Sequence, residues 1–144
     1  MNSIEDNFEN PEVNTLLEKH FKELRSVSPE GSAHVLDIPG LKVVIPSNPY
    51  DAKGLLISSI YDKNPVIFLE HRWLHNSISK GGVPKKFYKI DIGKAKIVEK
   101  GDDLTIVASS YMVSNALKIN NILKKNDIFA EIIDLRSLKP IDWK

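Results

Sequence analysis

Apolar residues recur along the chain with two different periods. From Pro11 onward, Val13, Leu16, Leu17, His20, Phe21 and Leu24 fall three and four apart, on one face of a helix. Pro11 suits its first turn, and Glu12 favours a helix N-terminus. Residues 1–11 have no period and are expected to fray. Beyond a loop at SVSPEGS the pattern changes. Leu41 to Ile45 is a near-continuous apolar run, as in a strand covered on both faces, and Pro46 ends it. Asn48 is a good cap, Pro49 suits the first helical position, and Asp51 completes a box-like spacing. Ala52, Leu55, Leu56, Ser59 and Ile60 then form an inward helical stripe, within which Gly54 costs about 1 kcal/mol relative to alanine. Asn64-Pro65 stops the helix, and Val66 to Leu69 is the next buried strand. Strand, helix and strand with short joins predict a right-handed βαβ crossover.

The pattern then repeats. SKGGVPKKF is a loop, and YKIDIG alternates like an extended connector. KAKIVEKGDDLTIVAS predicts two strands joined by a turn at Lys100-Gly101-Asp102-Asp103. Leu104 to Ala108 is a strand. Met112, Val113, Ala116, Leu117, Ile119 and Leu123 mark a helix closed by Lys124, Lys125 and Asn126, and Phe129 to Leu135 is a further strand. The fold class is therefore α/β, with two partial three-layer parallel-sheet βαβ units. A connector of roughly thirty residues joins them, long for a link inside one compact sheet. A unit of about fifty residues cannot cover both faces of a parallel sheet by itself.

Composition narrows the field. The chain has 144 residues, 42% hydrophobic and 27% charged, as in a folded protein. A net charge of +1 gives no general electrostatic case for nucleic acid or an acidic membrane. The lack of cysteine excludes disulfides, thiolate catalysis and cysteine zinc sites, and fits a reducing compartment. No apolar run approaches the ~18 residues of a membrane span. MNSIEDNFENPEVN is neither a secretory signal nor a transit peptide, so the expected location is cytoplasmic. Charge breaks near SVSPEGS: residues 1–30 hold seven acids against three bases, and the remainder twelve against seventeen.

IPGLKVVIPSNPYDAKGLLISSIYDKNPVIFLEHRWLHN, then VPKKFYKIDIGKAKIVEKGDDLTIVASSYMVSNAL and EIIDLRSLKPIDW, resemble the beta subunit of thiamine-diphosphate-dependent 2-oxoacid dehydrogenases. This is the decarboxylating component of the pyruvate and branched-chain complexes. The likeness spans residues 38–144, with its motifs in the family's order and spacing. It implies transketolase-type domains: residues 31–85 as the end of a pyrimidine-binding domain, 86–100 as a linker, and 101–144 as the start of a C-terminal domain. Residues 1–30 form a helical segment without a family match. The resemblance further implies thiamine diphosphate with magnesium, held between this subunit and an alpha subunit. It implies a second beta subunit, and a lipoyl acyltransferase core that receives the acyl group. Pyruvate is the expected 2-oxo acid.

The family's cofactor-activating glutamate belongs to a segment upstream of the matched residues, so the isolated chain is expected to be inactive, and no catalytic or cofactor-binding residue is assigned. The family's histidine loop falls where Val27 stands. His34 lies seven residues later and does not take over its role. What the resemblance does transfer is a structural potassium site at Ser59, Ile60, Asp62 and Asn64. Helix-end carbonyls carry the helix's negative pole, and hard cations take oxygen ligands. The alternative is a non-catalytic α/β interaction module derived from this family.

Other groups have plainer readings. Glu70, His71 and His75 have part of a zinc-site spacing, but they leave a buried strand and lack the HExxH glutamate. Position at a strand's carboxyl end fits better, with Glu70, His71 and Arg72 lining a cleft or, as favoured here, making interface salt bridges. Ser109-Ser110 reads as a helix cap, Arg136 and Lys139 as charges at a strand end, and Trp73 and Trp143 as packing or subunit contacts.

Overall fold

The structure is a computed structural model that describes Thr15, residues 39–76 and residues 82–143. The helix expected from Pro11, apart from helical Thr15, lies outside the described residues, as do Val27 and His34. Residues 38–144 form one compact unit. Its elements are β1 (Lys42–Val44), α1 (Pro49–Ile60), β2 (Val66–Phe68), β3 (Lys96–Glu99), β4 (Leu104–Ala108), α2 (Tyr111–Leu123), β5 (Ala130–Asp134) and β6 (Ser137–Lys139).

Both strand–helix–strand crossovers are present. β1 pairs with β2 in parallel, and β4 with β5 in parallel. Each pair gains one antiparallel neighbour, giving two three-stranded sheets ordered β2-β1-β6 and β3-β5-β4. β3 and β4 flank β5 and do not pair with each other. The Lys100–Asp103 turn is instead fastened just ahead of β5, where the Phe129 N–H donates to Asp103 Oδ2 at 2.7 Å. β6 belongs to the second half of the chain but completes the first sheet, with Val43 opposite Lys139 and Val44 opposite Ser137.

Helix α1 starts as its sequence requires. Asn48 Oδ1 accepts the Asp51 N–H at 2.9 Å, and Asn48 Nδ2 donates to Asp51 Oδ2 at 2.7 Å. Its buried face is rotated from the expected stripe. Asp51, Gly54 and Leu55 are buried, while Leu56 is 47% and Ile60 72% exposed. The connector after residue 82 explains the rotation, because it lies along α1. Lys53 Nζ donates to the carbonyls of Pro84 and Lys86. Ser58 Oγ donates to the Ile90 carbonyl at 2.6 Å and accepts the Ile90 N–H at 3.1 Å. A Cβ on Gly54 would stand 2.6 Å from Ile90 Cγ1, so glycine is what lets the connector approach. Val44, Leu55 and Ile90 form the first core, against which Val66, Phe68, Tyr88 and Ile92 pack.

The second core is smaller. Val113 and Ala116 of α2 are buried, as are Ala130 and Ile132 of β5. Asn120 is buried too, where it accepts the Ala130 N–H at 3.4 Å. Met112, Ile119 and Ile122 face outward.

Candidate functional site

Ser59, Ile60, Asp62 and Asn64 lie together at the corner between α1 and β2. Their oxygens are largely engaged. Lys42 Nζ donates to Asp62 Oδ2 at 2.6 Å, and the Asn64 N–H donates to Asp62 Oδ1 at 2.9 Å. The Lys42 hydrogen bond, more than any other cause, holds the Asp62 carboxyl below its ordinary range. The Ser59 hydroxyl donates to the Leu55 carbonyl, and the Ser59 carbonyl accepts N–H groups of Tyr61 and Asp62. The lysine ammonium thus supplies the positive charge that the Asp62 carboxylate attracts.

A second constellation joins the two crossovers. Ser47 follows β1, and its hydroxyl donates to Asp134 Oδ2 at the carboxyl end of β5. Arg136, just beyond β5, places its guanidinium 3.2 Å from Asp51 Oδ1 of α1. The Arg136 carbonyl accepts the Ile45 N–H at 2.8 Å. Arg136 holds φ at +56°, a left-handed backbone that turns the chain from β5 back into β6. On the other flank, His71 after β2 stacks on Tyr111 at the start of α2, with ring centroids 5.1 Å apart and planes 18° apart. Trp73 meets Tyr111 edge-on at 5.1 Å. The carboxyl ends of both parallel pairs therefore face one seam.

A cavity of about 210 Å³ lies beside this seam, lined by Pro46, Asn48, Pro49, Ala52, Glu70, His71, Leu74 and His75. Glu70 and His75 approach to 3.5 Å. Strand carboxyl ends are where α/β folds place ligands, but this cavity does not suit a diphosphate. Pro49 lacks an N–H, Asn48 already takes the N–H groups of Asp51 and Ala52, and Glu70 adds negative charge. No group of three or more histidine, aspartate or glutamate side chains able to hold a metal ion occurs among the described residues. Ser110 is buried at the start of α2 with φ at +51°, and its hydroxyl makes no capping bond. The expected serine cap is thus not formed there.

The family resemblance pointed to the corner residues, and place at a strand's carboxyl end pointed to His71. The pairing of Asp51 with Arg136 and of Ser47 with Asp134 was hidden by sequence separation. The available signal was a lone aspartate and arginine in a DLRS segment that ends an apolar run.

Comparison with known proteins accounts for this two-part layout. Residues 27–76 match the transketolase pyrimidine-binding domain, and residues 93–144 match the transketolase C-terminal domain. The chain carries sequence of both transketolase-type domains. Its curated relatives include the pyruvate dehydrogenase E1 component subunit beta of Staphylococcus epidermidis and of Bacillus subtilis. Each is 49% identical over 123 residues, which is 85% of this chain and 37% of the relative. The chain thus spans little more than a third of those relatives. Among solved structures, a split-gene transketolase described as an inactive beta4 tetramer superposes with a TM-score of 0.59 at 28% identity. It covers 75% of this chain and 34% of that one. Transketolase from Pichia stipitis superposes at 0.54 with 18% identity, over 77% of this chain and 16% of its own, and shows the shared fold. In this transketolase-type chain the seam lies between the segments that match the two domains. No helix among the described residues is long and apolar enough to cross a membrane.

Proposed function

We propose that the chain serves in the beta subunit of a 2-oxoacid dehydrogenase, with pyruvate as the substrate. The observation that carries this reading is 49% identity to pyruvate dehydrogenase E1 beta subunits over 123 residues. That identity runs through both transketolase-type segments and the seam between them. In this reading the chain works with an alpha subunit and a second beta subunit in a heterotetramer. Thiamine diphosphate, held through magnesium, supplies the electron sink for decarboxylation, and the acyl group passes to a lipoyl carrier on the acyltransferase core. The described residues contribute the seam and the packing behind it, not the diphosphate grip. The cytoplasm is the matching location.

Potassium at the α1–β2 corner belongs to the same proposal. Carbonyls of Ser59 and Ile60 and the Asn64 side chain are its donors, with Lys42 competing for Asp62. A potassium-specific rise in melting temperature, absent in sodium at equal ionic strength, supports it. Equal melting in the two salts rejects it.

The main test is reconstitution. Copurification with a pyruvate dehydrogenase alpha subunit is expected, followed by thiamine-diphosphate-dependent reduction of an artificial electron acceptor by pyruvate. Absence of any complex rejects the reading. A complex without turnover selects the second reading, a non-catalytic interaction module. The exposed apolar side chains Ile97, Val107, Met112, Ile119 and Ile122 favour that second role.

A further inference from the structure

Two acids and one base face each other where β1 and β5 end. Asp51 and Asp134 are both fully buried. The Arg136 guanidinium approaches Asp51, whereas Arg136 reaches Asp134 through its backbone N–H, at 3.1 Å from Oδ1. The other Asp134 oxygen meets the Ser47 hydroxyl, which also accepts from Asn48 Nδ2 at 3.2 Å. One guanidinium against two ionised carboxylates leaves one buried negative charge uncompensated. Such a charge is costly, and a proton on one carboxyl removes it.

The surroundings of Asp134 decide which carboxyl takes that proton. Burial pushes its carboxyl above the ordinary aspartate value, and Asp51 adds to this. The Ser47 hydroxyl, the Arg136 N–H and the Arg136 charge act in the opposite direction. Asp51 faces it from α1, Ser47 from the turn before α1, and Arg136 from the turn after β5. On β3, Lys96 lies opposite with an exposed side chain, and on β4 the opposite residue is Ala108.

We propose that Ser47, Asp51, Asp134 and Arg136 form a proton-operated latch between the two transketolase-type segments. With one proton held on Asp134 Oδ2, which then donates to the Ser47 oxygen, the seam is closed. Release of that proton to solvent leaves two carboxylates competing for Arg136, and the seam loosens. The cavity responds, because Asn48 links the latch to its wall and His71 links that wall to Tyr111 of α2. The latch does not rest on the proposed reaction and stands or falls separately from it.

Carboxyl-carbon NMR of the aspartate-labelled chain tests it, with backbone amide and indole signals followed from pH 4 to 9. One carboxyl is expected to titrate above the ordinary aspartate range. Amides of Asn48, Asp51 and Arg136 and the Trp73 indole are expected to share its midpoint. Asp134→Asn should abolish that shared transition. Asp51→Asn should keep the transition and lower its midpoint, which holds the idea to account even if the first variant fails to fold. Seam signals that follow no common midpoint, or an unchanged transition in Asp134→Asn, overturn the latch. So does an unmoved midpoint in Asp51→Asn.

Discussion

α1 and α2 are crossover helices of nearly equal length, 12 and 13 residues, each linking two parallel strands. They are held in different ways. α1 has its sheet on one side and the connector strapped along it by Lys53 and Ser58, and its first turn is tied through Asp51 to Arg136. α2 packs on its sheet through Val113, Ala116 and Asn120, with Met112, Ile119 and Ile122 turned outward. The difference shows that a helix's buried face depends on what surrounds it. A helical period in sequence becomes a two-sided fixture in one case and a one-sided lid in the other.

The sharpest way to break this contrast is to cut the polar tie. Arg136→Met leaves Asp51 buried without its charge partner and should cost about 3–5 kcal/mol in urea denaturation, since removing one member of a buried pair strands the other. A loss below about 1 kcal/mol would place the ion pair among merely tolerated contacts. Leu55→Ala should follow closely, at about 2–5 kcal/mol, because Leu55 is fully buried. Gly54→Ala sharpens the role of the strap. In an open helix the change would gain about 1 kcal/mol. Here the new methyl meets Ile90, so a net loss of about 1 kcal/mol is expected from overpacking, read from the same denaturation curves.

Asp134→Asn tests the seam by pH. A carboxyl raised in the folded state contributes stability that is fully present below its ordinary value of 3.8 and is lost as pH rises through the raised value. The asparagine variant should therefore gain on the parent in thermal melts as pH climbs above 3.8, then hold a constant margin. A margin that shrinks with rising pH would reverse the assignment. The smallest effect is expected on α2, where Ile119→Ser should change stability by no more than about 0.5 kcal/mol. A larger loss would mean that another surface covers this face.

The elements were legible because local rules agree with the fold. Asn48, Pro49 and Asp51 specify where α1 begins, and the apolar runs at Leu41–Ile45 and Leu104–Ala108 contain β1 and β4. The inward face of α1 was not legible. Periodicity weighs Leu56 and Ile60 by their apolarity, whereas Gly54 makes room for the Ile90 side chain and Ser58 binds the Ile90 backbone. The seam was hidden for another reason. Ser47 and Asp134 are 87 positions apart, and no local spacing marks them as partners. At the α1–β2 corner the resemblance named Ser59, Ile60, Asp62 and Asn64, but the claim of Lys42 on Asp62 required the fold.

The pairing of β6 with β1 bears on how the chain is made. Lys139 sits opposite Val43, so the first sheet closes only when segments almost a hundred positions apart have met. Closing a loop that long costs chain entropy before any contact rewards it, and high contact order slows folding. During synthesis the β1 edge that β6 will cover waits while the whole second crossover is translated. The hydrogen bond from the Ile45 N–H to the Arg136 carbonyl then closes the circuit. The first sheet is therefore finished only after the whole second crossover has been made.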